Sequence, residues 1–262
     1  MEILNIIDPV RFKTYMMVLM RISILLVMFP IFSSNVFPAL VKTGLAMVLS
    51  LVLYTVVPVD LDRFPPDTVS TGLMIGAEAL IGLILGLILR IFLGAIQLAG
   101  QIIGFQMGFA MINVVDPQTG ANVSIMDQLG YWVAVVIFLV LNGHHVMISA
   151  LADSFELVPV GYLMMPPAIM AKMMALMAHL FLLAIKIGAP VIAALMFVSA
   201  GFGLVAKFSP QMNVMIVAFP LKIVVGLFLF GLSLDIIAII IRDFIPEFKK
   251  ILLYLLYFMG GG

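Results

Sequence analysis

Long apolar runs recur along this chain about every 30 to 40 residues, and each is close to the length that spans the hydrocarbon of a bilayer. Six can be drawn, over residues 16–32, 40–57, 69–111, 128–151, 180–206 and 212–241. None alternates with a period of two. Backbone N–H and C=O groups cannot go unpaired in hydrocarbon, so runs rich in Leu, Ile, Met, Ala and Gly are predicted to close their own hydrogen bonds as helices. Polar punctuation lies between them: Ser33, Ser34, Asn35 and Pro38, residues 58–66, residues 116–122, residues 159–167, and Ser209 with Pro210. Connections this short predict bent antiparallel helical hairpins, hence an all-α membrane protein with six hydrophobic segments.

Composition fits lipid as the solvent, since 65% of residues are hydrophobic and 10% charged, whereas about a quarter are charged in a soluble domain. Lys plus Arg balances Asp plus Glu at 13 each, so no global field favours nucleic acid or an anionic substrate. There is no cysteine, which excludes disulfides and thiolate chemistry. Glu2 and Asp8 come early and no small-residue cleavage site follows the first run, so no removable signal peptide is expected. With six crossings, Arg11, Lys13, Arg63, Lys172, Arg242, Lys249 and Lys250 fall on one side, and Lys42 and Lys207 on the other. The positive-inside rule then places both termini in the cytoplasm.

The third run is too long for one simple span, and near Arg90 it turns from uniformly apolar to Gly-rich and Gln-bearing. Two helices, or one sharply bent helix, are expected there. Gly100, Gly104 and Gly108 are spaced four apart, a flat stripe that lets another helix approach, with Gln97 and Gln101 beside it. Gly72 with Gly76 and Gly82 with Gly86 repeat the spacing. Such stripes serve packing within a chain or between subunits. Pro190 and Pro220 interrupt the last two runs and are expected to bend or break their helices, leaving carbonyls for assembly contacts or a polar channel.

Arg21, Glu78, Arg90, Lys186, Lys222 and Asp235 lie within or at the edge of apolar runs, where an isolated charge costs roughly 2.5 to 3.5 kcal/mol. Each should face protein or water. Arg21, Glu78 and Arg90 are read as buried polar groups with a structural role; an ion pathway would cluster carboxylates, yet Glu78 and Asp235 belong to distant runs. His144 and His145, with Asp153 and Glu156 further on, match no HEXXH pattern, so a helix-end or interfacial role is preferred to a metal site. The 21 methionines are either apolar filler or a seal able to repack. Phosphate-binding, dinucleotide and nucleophile-elbow motifs are missing from any suitable context, so neither an enzyme nor a cofactor is expected.

The segment FQMGFAMINVVDPQTGAN at 105–122 reads as a small-residue helix that breaks at Asp116 and Pro117. It resembles the QMG and DP region of the FliR family of type III secretion, including its virulence-system relatives. Arg21 with FPIFSSNVFP and Lys42, then IGAEALIGLILGLILR, LNGHHVMISALADSF and SPQMNVMIVAFPLKIVVG, extend the resemblance in order along the chain. It implies a core component of the flagellar export gate in the bacterial inner membrane, where one such subunit assembles with several FliP-type and FliQ-type subunits beside an FlhB-type subunit. It also implies a single domain over 1–262, in which a FliP-like part to about residue 179 precedes a FliQ-like helix pair and tail over 180–262, and hairpins that need not cross the bilayer in six simple passes. The family's plug loop corresponds to 106–122. On that correspondence Gln106, Met107, Gly108, Phe109, Met111, Ile112, Val114, Val115, Asp116 and Pro117 would help close the pore, apolar side chains packing across it while Gly and Asp-Pro let the backbone move. The rival reading is a secondary transporter of a small solute, with Pro190 and Pro220 marking broken helices around a midplane site.

Overall fold

The computed structural model describes residues 9–33, 37–55, 57, 67–109, 125–209, 211 and 213–261, and every regular element among them is helical. In chain order these are α1 (Pro9–Met28), α2 (Pro30–Ser33), α3 (Ala39–Tyr54), α4 (Thr68–Met107), α5 (Ile125–Val140), α6 (Gly143–Leu157), α7 (Pro167–Phe208) and α8 (Val214–Met259). Proline opens α1, α2 and α7, where its missing N–H is an orphan in any case. Asp67 caps α4 by accepting the Ser70 N–H at 3.3 Å. Buried serines satisfy themselves inside helices: Ser50 Oγ donates to the Ala46 carbonyl at 2.6 Å and Ser233 Oγ to that of Phe230 at 2.7 Å.

Among the described residues three helices, α4, α7 and α8, are long and apolar enough to cross a membrane, and α5 and α6 meet the same measure only when taken together as a bent pair. The six apolar runs therefore become three such helices and a bent pair. Run 40–57 yields only the 16-residue α3, and α1 carries Arg11, Lys13 and Arg21. The long helices contain 40, 42 and 46 residues. At 1.5 Å per residue they are about 60 to 70 Å long, twice the ~30 Å of hydrocarbon.

Several boundaries differ from the sequence reading. Residues 69–107 of run 69–111 are one helix, α4, without a break at Arg90. Neither Pro190 in α7 nor Pro220 in α8 breaks its helix, because one lost donor among long runs of paired amides is tolerated in a membrane helix. Run 128–151 is instead divided at Asn142, whose φ of 60° is left-handed. The last helix continues past Ile241 to Met259, with Phe248, Leu252, Leu255, Leu256 and Met259 buried and Lys249 and Lys250 exposed on the other side.

The chain divides into two compact units, neither contiguous in sequence. One comprises residues 1–90, 142–176 and 245–262; the other comprises 91–141 and 177–244. In the first, α1 and α4 cross closely because Gly82 and Gly86 lack side chains: a Cβ at Gly82 would lie 2.5 Å from the Arg21 carbonyl oxygen, and one at Gly86 would collide with Met28. The Met164 N–H donates to the Met259 carbonyl at 2.9 Å, fastening the end of α8 within the same unit. In the second, Ile103, Met107, Met126, Val191, Leu195 and Phe230 form the core.

Candidate gating site

Within the second unit, α4 ends at the residues that the resemblance assigns to the plug. Gly108 has φ 92°, its N–H donates to the Phe105 carbonyl at 3.0 Å, and the Phe109 N–H donates to that of Gly104 at 3.1 Å. These two bonds with a left-handed glycine make a Schellman C-cap, which satisfies carbonyls that the last turn would leave bare. Gly108 is thus a stop signal, whatever else it does. Space reinforces the choice, since a Cβ there would lie 2.5 Å from the Phe219 ring of α8. Phe109, just past the cap, packs against the core that contains Ile103 and Met107.

The other end of the segment returns to the same place. Met126, in the first turn of α5, is buried in the core with Met107. Gly100 lets α5 approach α4: a Cβ at that position would lie 2.6 Å from the Met126 carbonyl oxygen and 2.9 Å from the Asp127 Cα. One turn earlier on α4, Gln97 Nε2 donates to Asp127 Oδ1 at 3.1 Å. From α8, Gly226 accommodates Met107, whose side-chain atoms come within 2.7 to 2.9 Å of where a Cβ would stand. Both stems of segment 110–124 are therefore fixed to one another by backbone-close packing and a hydrogen bond.

Of the ten residues assigned to closure, Gln106, Met107, Gly108 and Phe109 are placed at this stem. Met111, Ile112, Val114, Val115, Asp116 and Pro117 lie outside the described residues. In the glycine stripe, Gly100 meets α5 of the same chain, Gly104 is buried and supplies the cap carbonyl, and Gly108 is the cap. Pro190 and Pro220 are exposed. Sequence reasoning placed Gln97 in a polar stripe but passed over its partner Asp127, and Gly226 was only the end of a motif. Aspartate in the first turn of a helix facing an amide-bearing stripe was the available signal.

Replacing Gly108 by alanine should lower the unfolding midpoint of the detergent-solubilised chain, since the left-handed conformation alone costs a non-glycine residue about 1 to 2 kcal/mol. Trimming the obstacle with Phe219→Ala should recover part of the loss. An unchanged midpoint in Gly108→Ala would contradict the cap.

In the first unit, Arg21 and Glu78 are both fully buried and pair with one another. Arg21 Nε donates to Glu78 Oε2 at 2.5 Å and Nη2 to Oε1 at 3.1 Å, a two-pronged contact. The remaining donors are used as well. Nη1 donates to the Ser154 carbonyl at 2.8 Å and to its Oγ at 3.0 Å, and Nη2 to the Val158 carbonyl at 3.1 Å. Glu78 Oε1 also accepts the Gly161 N–H at 2.7 Å, and the guanidinium carbon lies 4.3 Å from the centre of the Phe155 ring. One charge pair thus ties α1, α4, the end of α6 and the turn after it. Arg90 departs from expectation: it is exposed, and its Nε donates to the Met28 carbonyl at 3.3 Å. Its long stem carries the head out to the C-terminal end of α1, where bare carbonyls favour a cation.

The described residues hold no group of three or more His, Cys, Asp or Glu able to ligate a metal. Packing surfaces and a buried, internally neutralised charge pair carry this architecture, as in a helical integral membrane protein. Comparison with known proteins makes the assignment specific. The profile of bacterial export proteins, family 1, matches residues 12–248, and the chain belongs to that family, as a FliR protein. It is 32% identical over 245 residues to the flagellar biosynthetic protein FliR of Bacillus subtilis, covering 91% of this chain and 92% of the relative. Identity to FliR of Escherichia coli is 28%, covering 86% and 85%. The Yop proteins translocation protein T of Yersinia pestis is 27% identical, covering 80% and 81%.

Proposed function

We propose that this chain is a core subunit of the flagellar type III protein export gate in the bacterial inner membrane. With FliP-type and FliQ-type subunits, and beside an FlhB-type subunit, it forms the channel through which unfolded flagellar proteins pass, and segment 106–122 helps close that channel. Both termini face the cytoplasm in this reading, and the chain divides into a FliP-like part up to about residue 179 and a FliQ-like helix pair from 180.

The observation that carries the proposal is the stem. A closing segment must be able to move while its ends stay fixed, and here the ends are fixed by the Gly108 cap, the Gly100 crossing and the Gln97 bond to Asp127. Helices α7 and α8, of 42 and 46 residues and so about 60 to 70 Å long, leave most of their apolar windows exposed and give the second support, because such lengths exceed the bilayer and call for neighbouring subunits. Continuous helices at Pro190 and Pro220 withdraw the broken-helix feature on which a solute transporter would rest.

A photo-crosslinking residue at Phe109 should capture an export substrate stalled by a bulky folded domain, whereas one at Leu40, 86% exposed on α3, should not. Capture at Leu40 without capture at Phe109 would overturn the proposal.

A further inference from the structure

Asp235 is exposed on α8, with Leu232 at 60% and Phe228 at 66% exposure on the same face. No hydrogen bond or ion pair within the described residues holds it. Aspartate is among the residues least tolerated at membrane depth, and its short side chain cannot snorkel as Lys and Arg do. Arg242, where the apolar run ends, lies seven residues on, about 10 Å along the helix. The carboxylate cannot reach that level. Lys186 lies 22 residues before the end of α7 at Phe208, and Asp235 lies 21 residues after the start of α8 at Val214. The two opposite charges thus share a level in the hairpin, yet each is exposed and they form no ion pair.

Around Asp235 the exposed positions have a definite spacing. Val217, Leu221, Val224, Phe228, Gly231 and Asp235 alternate steps of four and three residues, which is the seam of a helix that meets another helix at an angle of about 20°. Gly231 has nothing within 4 Å of where a Cβ would stand, so a partner backbone has room to come close beside the carboxylate. A lipid tail would use neither the regular seam nor the charge.

We propose that this seam is covered in the assembled complex by a membrane helix of a different subunit, one that presents a lysine or arginine to Asp235. The inference rests on the export-gate reading and names the face and chemistry of one contact in it. Charge complementarity selects the partner: in apolar surroundings a carboxylate is stabilised most by a cation that also donates hydrogen bonds. Such a contact would orient the neighbouring helix at one level, because a shift of one turn would leave both charges unpaired.

The test uses the tagged full-length chain in its own cell, with complexes purified in mild detergent and a photo-crosslinking residue at Leu232. Asp235→Asn and Asp235→Lys should leave the amount of chain in the membrane unaltered and lower the yield of complex by at least about tenfold. The crosslinked peptide, identified by mass spectrometry, should come from another subunit and contain Lys or Arg. Exchanging that base for aspartate should restore assembly of Asp235→Lys. Unaltered yield with Asp235→Leu, adducts to lipid alone, or adducts to a second copy of this chain would each overturn the inference. Failure of the unaltered chain to purify with any other subunit would instead overturn the export-gate reading, before any variant is compared.

Discussion

Arg21→Met should remove most of the stability of the first unit, at a cost of about 3 to 5 kcal/mol, because it strands the Glu78 carboxylate in a site that water does not reach. Glu78 would keep only the Gly161 N–H as a donor, the Val158 carbonyl would lose the guanidinium, and the Ser154 carbonyl would keep only the Val158 N–H. The readout is the amount of chain accumulating in the membrane, together with its unfolding midpoint in detergent. Arg21→Lys should fall between the two, since an ammonium keeps the charge but cannot serve three elements at once with a planar fork. The double change Arg21→Met with Glu78→Leu should recover much of the loss, because a buried pair replaced by apolar groups is often near neutral while half a pair is not. Wild-type accumulation and melting in Arg21→Met would contradict this account of the network.

The second large effect is expected at Gly100. A leucine there would drive into the Met126 carbonyl and the Asp127 Cα, both backbone-bound atoms that a rotamer change cannot move. Overpacking of this kind costs about 1 to 3 kcal/mol, and it must also separate α4 from α5 and break the Gln97 bond to Asp127. The damage should be local to the second unit: assembled gates carrying Gly100→Leu should leak ions, while the Arg21 network stays formed. Gly72→Leu is the matched control, since no atom lies within 4 Å of a Cβ at that position. Equal effects of Gly72→Leu and Gly100→Leu would show that bulk on any glycine, and not this crossing, is what matters.

Much of the fold was legible because hydrocarbon leaves the backbone few options, and apolar runs of this length had to be helices. Where they stop was less legible. Pro190 and Pro220 stand out in sequence, yet the surrounding turns outweigh one missing hydrogen bond, so the helices pass through. Asn142 and Gly143 form a standard turn dipeptide, but the hydrophobicity on either side runs on and conceals the break. The apolar run ends at Ile241 because Arg242, Asp243, Glu247, Lys249 and Lys250 follow, yet these charges are exposed on a helix whose other side is buried.

At the site, residue type marked Arg21 and Glu78 as groups in need of partners but did not pair them across 57 positions. Apart from the Ser154 hydroxyl and the Phe155 ring, the rest of the network was invisible in principle, because the Ser154 and Val158 carbonyls and the Gly161 N–H belong to the backbone and carry no side-chain signature. Arg90 looked equivalent to Arg21 by its surroundings in sequence, and only the geometry of α1 separates a buried guanidinium from one that reaches a helix end. The stripe at Gly100, Gly104 and Gly108 looked uniform, yet its members do different things: a crossing, a carbonyl that accepts the cap's N–H, and the cap itself.

Ion conductance of the purified, assembled gate in a planar bilayer tests the central claim most directly, comparing the unaltered complex with one in which residues 106–122 are replaced by a short Gly-Ser linker. The unaltered gate should be closed to ions and the replaced one should conduct steadily. Equal, low conductance in both, with the complex intact, would contradict the assignment of closure to this segment.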